Sequence, residues 1–167
     1  MYAFFDAAWL PEHLHMLRKW RDDVAFGTSN SIKTNPANLL YDHELTVKLI
    51  EAAWLLRHGK LGKLNIPIDE QGVIRFYVKK EKKELAHYPQ ILKLKELRKP
   101  SGVLKNIFKV YDVIKYRGIL NRWLHDAMNP KFREESLSKH EVIVVYENLV
   151  KLIEAMWLIN VRSKSGS

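Results

Sequence analysis

Residues Ser138–Asn160 read SKHEVIVVYENLVKLIEAMWLIN. Ser138, with Glu141 three positions on, is a capping box, so a helix is predicted to start there. The run from Val142 to Val161 is the most apolar of the chain, yet it carries Glu147, Lys151 and Glu154. A bilayer centre does not accept such charges cheaply, so the helix is predicted to lie buried in a protein core. Part of it occurs twice. Glu44–Leu55 (ELTVKLIEAAWL) and Glu147–Leu158 (ENLVKLIEAMWL) are identical at nine of twelve positions. Unrelated segments would match at about one position in twelve. Leu, Ile, Ala and Trp at this spacing are core residues, so the echo predicts two central helices with the same packing problem. Glu51 and Glu154 occupy equivalent places beside the apolar positions and need partners there. Lys48 and Lys151, three residues earlier, are the expected partners.

Around this pair the chain offers further helices. Pro11 suits a first helical turn, and Leu14, Leu17, Trp20 and Val24 recur at helical spacing up to Gly27. The stretch 27–38 is a loop by composition. Asp42 is the expected N-cap of the first echo helix and Gly59 its stop. That helix is apolar on most of its circumference, which predicts a place in the middle of a bundle. Ser101 caps another, whose apolar face runs through Val103, Ile107, Val110 and Ile114. Gly118 marks a bend, the pattern resumes through Ile119 and Trp123, and Asn129-Pro130 ends it. Between residues 61 and 100 the pattern changes. NIPIDEQGVIRFYV holds two β-prone runs around Asp69–Gly72, which predicts one short hairpin near residues 64–78. The expected fold is mainly all-α: about five helices, with that hairpin, in one helical domain over residues 1–161. A disordered tail, RSKSGS, is expected over 162–167.

Composition narrows the class. At 167 residues the chain can bury a full core unaided. With no cysteine it has no disulfide framework, thiolate metal site or thiol nucleophile, and a cytoplasmic location is expected. The opening MYAFFDAAWLPEH lacks a basic n-region, so no secretory signal is expected.

The formal net charge of +9 is concentrated. Residues 59–115 hold fourteen basic and six acidic side chains. The densest part carries Arg75, Lys79, Lys80, Lys82, Lys83, Lys93, Lys95, Arg98 and Lys99, interleaved with Phe76, Tyr77, His87 and Tyr88. Basic residues with aromatics are the footprint of a polyanion site, where lysines neutralise phosphates and rings stack on unpaired bases. These nine are the candidate nucleic-acid-binding residues, for DNA or RNA. The bland alternative is a solvated lysine-rich face. Lysine predominates over arginine, the residue of specific base and phosphate forks, which favours the bland alternative.

Tyr116–Asp126 reads YRGILNRWLHD. It resembles the active segment of the HEPN family, small helical bundles that include metal-independent ribonucleases. The resemblance implies that Arg117 or Arg122 stabilises phosphate charge while His125 moves a proton. Seven residues separate Arg117 from His125, more than the family's spacing, and Gly118 replaces the usual polar neighbour. On an unbroken helix the two lie about 12 Å apart along the axis. Arg133, in a predicted loop, and His140 form a further Arg–His pair with six residues between them. A carboxylate-bridged dimetal bundle has an inventory too, in Glu12-x-x-His15, Glu51, Glu84-x-x-His87 and Glu154. Glu84 and His87 sit in a lysine run before Pro89, which disfavours a cation, so no metal is expected. Glycine-rich phosphate loops, G-x-S-x-G and H-E-x-x-H are missing. The expectation is a non-enzymatic nucleic-acid-binding or regulatory protein with no cofactor and no membrane partner. The ribonuclease stands as its alternative and a protein-interaction module, with a homodimer as one form, as the next.

Overall fold

The computed structural model describes residues 2–28, 35–64, 66, 70–129 and 137–165. Every element among them is helical: α1 (Tyr2–Ala7), α2 (Leu10–Phe26), α3 (Pro36–Leu56), α4 (Gln71–Glu84), α5 (Leu94–Arg98), α6 (Ser101–Val110), α7 (Val113–Met128) and α8 (Lys139–Ser165). None is long and apolar enough to cross a membrane.

α8 is the axis of the fold. The Ser138 backbone N–H and hydroxyl both donate to the Glu141 carboxylate (3.0 and 2.7 Å), so the capping box forms. Val142, Val145, Leu149, Leu152, Ile153, Met156, Leu158 and Ile159 are all fully buried along it. Side chains of this size each stabilise by about 1.5–3 kcal/mol when removed from water. α2 and α6 pack along α8, while α7 bridges α2 and α3.

Several sequence expectations need correction. The hairpin is not formed. Gln71–Val78 belong to α4, and residues 65 and 67–69 lie outside the described residues. Ile74, Val78 and Glu81 share one side of that helix, so its helical period outweighs the β-bias of its residues. α3 starts at Pro36 rather than Asp42, because Asn35 Oδ1 accepts from the Ala37 N–H at 2.9 Å and Pro36 preorganises the first turn. Gly118 does not bend α7. The break falls at Tyr111–Asp112, where Asp112 Oδ1 accepts from the Lys115 N–H at 2.7 Å and starts a new helix. Among the described residues the helices number eight rather than about five, the additions being α4 and the short α1 and α5, 6 and 5 residues long. The tail is helical as far as Ser165.

The two echo helices pack against each other, but their environments differ. Leu158 is fully buried, whereas its counterpart Leu55 is 78 % exposed. α3 is therefore covered on one side only and does not run through the middle of the bundle.

Candidate functional site

At about 100° per residue, Lys82, Arg75, Lys79, Lys83, Phe76 and Lys80 span an arc of about 160° on α4. All six are exposed, and Phe76 retains 65 % of its surface. Lys80 approaches Glu84 at 3.9 Å. Arg75, Lys79, Lys82 and Lys83 have no acidic partner among the described residues. The opposite side of α4 carries Ile74 and Val78, which turn inward.

A polar clamp fixes the helix in place. Arg162 donates from Nε and Nη2 to the two oxygens of Glu81 (2.7 and 2.8 Å), and from Nη1 to the carbonyls of Gly62 and Leu97. Tyr88 donates its hydroxyl to Glu81 Oε2 at 2.7 Å. Burial and the Glu81 carboxylate together push the Tyr88 phenol well above its ordinary range. Gly62 approaches α8 so closely that a Cβ there would lie 2.8 Å from Ile159 Cγ1. Its φ of 65° also favours glycine. Arg162 lies in the stretch expected to be disordered, and its position in line with the α8 pattern was the available signal.

The nine predicted basic residues therefore divide. Arg75, Lys79, Lys80, Lys82 and Lys83 share the outer face of α4. Lys93, Lys95 and Lys99 are exposed in and beside α5, the short helix against which α4 packs, while Arg98 is half-buried. The two groups sit on two separate helices and the residues flanking them. Phe76 stands among the cations, with Tyr77 edge-on to it at 5.7 Å. Tyr88, committed to Glu81, is withdrawn from that surface.

The segment carrying Arg117, Arg122 and His125 is one uninterrupted helix, so Arg117 and His125 stay about 12 Å apart along it. Arg117 faces Glu51 at 3.4 Å, and His125 Nδ1 lies 3.6 Å from Asp126 Oδ1. The geometry does not bring Arg117 and His125 together on one phosphate. Arg133 lies outside the described residues. The dimetal inventory disperses as well. Glu154 is fully buried and accepts from the N–H groups of Gln90 (2.8 Å) and Ile91 (3.1 Å), while Glu51 stays at the surface. Among the described residues no three His, Asp or Glu side chains are grouped to hold a metal. Neither lysine meets its expected glutamate: Lys48 pairs with Glu44 at 2.7 Å and Lys151 approaches Glu96 at 3.9 Å.

No family model matches the chain, and neither a curated protein nor a solved structure matches it.

Proposed function

We propose that the protein binds nucleic acid through the outer face of α4, contacting the phosphate backbone without catalysing a reaction. The observation that carries this is the arrangement on one helix of Arg75, Lys79, Lys82 and Lys83, without acidic partners among the described residues, around the exposed ring of Phe76. Arg75 to Lys83 covers about 12 Å of helix, enough to follow successive phosphates. Lysines neutralise phosphates and displace counterions without reading sequence, while Phe76 offers a stacking surface for an unpaired base. The clamp on Glu81 supports the reading, because it holds the cationic face in a fixed orientation.

The test is retention of a single-stranded oligonucleotide in gel shifts across a salt series. The charge-reversed triple variant Lys79→Glu, Lys82→Glu, Lys83→Glu should lose retention at every salt concentration. Each single lysine-to-glutamine change should reduce the log–log salt slope by about one. Unchanged retention by the triple variant would refute the reading.

A second reading, a docking face for another copy of the chain, is favoured by a separate observation. Leu55 and Ile114 are 78 % and 76 % exposed. They sit on α3 and α7, one turn from the Glu51–Arg117 pair on each side of the same seam.

A further inference from the structure

A cavity of about 390 Å³ opens between α2 and the segment that follows α4. His15 and Arg18 from α2, and His87, Tyr88 and Gln90 from the other wall, line its polar part. Among the described residues no carboxylate lines it. His15 and Arg18 are exposed, and neither has a hydrogen-bond or ion-pair partner among the described residues. The His87 ring has an aromatic neighbour, Trp9, at 5.5 Å, and no hydrogen-bond or ion-pair partner among the described residues. Three nitrogen-bearing side chains from positions some seventy residues apart thus meet at one opening with unused donors. A guanidinium always donates, and an imidazole donates from one nitrogen when neutral and from both when charged.

The far wall is built rather than loose. His87 is anchored by its carbonyl, which accepts from the Trp157 indole N–H at 3.0 Å. Gln90 and Ile91 are anchored by their N–H groups on Glu154. Of the carboxylates behind the wall, Glu81 is matched by Arg162, and Glu154 is engaged by the Gln90 and Ile91 N–H groups. The volume lies in the range of small-molecule sites, so it has room for a phosphate together with the group that carries it.

We propose that His15, Arg18 and His87 form a binding site for a phosphate monoester, the terminal phosphate of a nucleic-acid strand whose backbone runs along α4. The identity of the phosphate carrier rests on the nucleic-acid reading; the anion site itself does not. A terminal monoester carries between about −1.5 and −2 charges at pH 7, against −1 for an internal diester, so a pocket of converging donors favours the strand end.

The test has two arms on the full chain. In the first, inorganic phosphate is titrated while the histidine ring resonances are followed by NMR. The His15 and His87 signals should shift together and saturate, His125 should stay still, and Arg18→Gln should weaken the binding at least tenfold. Equal, unsaturated drift of every surface histidine would mean an adventitious ion only and would overturn the proposal. In the second, one oligonucleotide is compared with a 5′-phosphate, with a 3′-phosphate and with neither. One phosphorylated form should bind about tenfold more tightly, and Arg18→Gln and His87→Ala should each abolish that advantage. Three equal affinities would overturn the strand end as the source even if inorganic phosphate binds. The triple α4 variant separates the two ideas: it should lose the oligonucleotide yet keep inorganic phosphate. A variant that still holds the oligonucleotide would instead count against the α4 reading.

Discussion

Glu51 and Glu154 occupy the same place in the same nine-of-twelve sequence echo, and their roles diverge. Glu154 anchors the backbone N–H groups of Gln90 and Ile91. Glu154→Ala leaves those donors without their acceptor and should cost about 2–4 kcal/mol in urea denaturation. Glu51 pairs with Arg117 at the surface, where screening leaves little, so Glu51→Ala should cost less than about 1 kcal/mol. Equal costs for the two substitutions would show that the difference in burial is without energetic weight. His13 offers a second prediction. It is buried, stacks on Phe4 at 3.8 Å, and donates from Nε2 to the Phe4 carbonyl at 2.7 Å. Burial lowers its tendency to take up a proton below that of a free histidine, and burial does the same to His43. A depressed folded value contributes stability above the unfolded pKa of about 6.5, which is lost as pH falls through the folded value. Urea midpoints should therefore drop between pH 7.5 and pH 5. His13→Gln, which keeps a donor for the Phe4 carbonyl, should flatten part of that drop. An unchanged pH profile in the variant would exclude His13 as a source.

At the scale of elements, α4 shows how a helix can be read correctly in charge and wrongly in shape. Its cations were evident in the sequence, because lysines recur there whatever the backbone does. Its conformation was not, because Val73, Ile74, Phe76, Tyr77 and Val78 favour strands locally, and only packing of the Ile74 side against the rest of the protein selects the helix. The clamp by Arg162 was invisible in the same way. It joins α8 to α4, to Gly62 and to Leu97, partners 65 to 100 residues distant. Arg162→Met should destabilise the fold by about 3–5 kcal/mol, since Glu81 is left nearly buried and unpaired. Hydrogen exchange should quicken in the α4 amides before those of α2 or α7. Uniform quickening across all helices would mean that Arg162 stabilises the whole fold rather than moors α4. By contrast, the helix ends marked by Ser138 before α8 and Gly27 after α2 were legible to within a residue or two.

For the whole molecule, the cationic face and the exposed pair Leu55 and Ile114 belong to different elements. The α4 face carries the cations, and the seam of α3 and α7 carries Leu55 and Ile114. A second copy docking on that seam should appear in sedimentation velocity at micromolar concentration, and Leu55→Glu should return the protein to monomer. A monomer at all concentrations removes that reading. Either result leaves the α4 face exposed for nucleic acid.

The sequence alone determined that the chain is helical, that α8 is buried, and that the positive charge lies in the central third. Helical period, capping residues and net charge are local quantities, and each is written in neighbouring side chains. Tertiary structure alone decided which echo helix is enclosed, because nearly identical segments bury different amounts of surface according to what packs around them. It also decided that His15, Arg18 and His87 share one cavity. Distance along the chain carries no information about such a meeting, which comes from α2 and the segment after α4 folding against the same central helix.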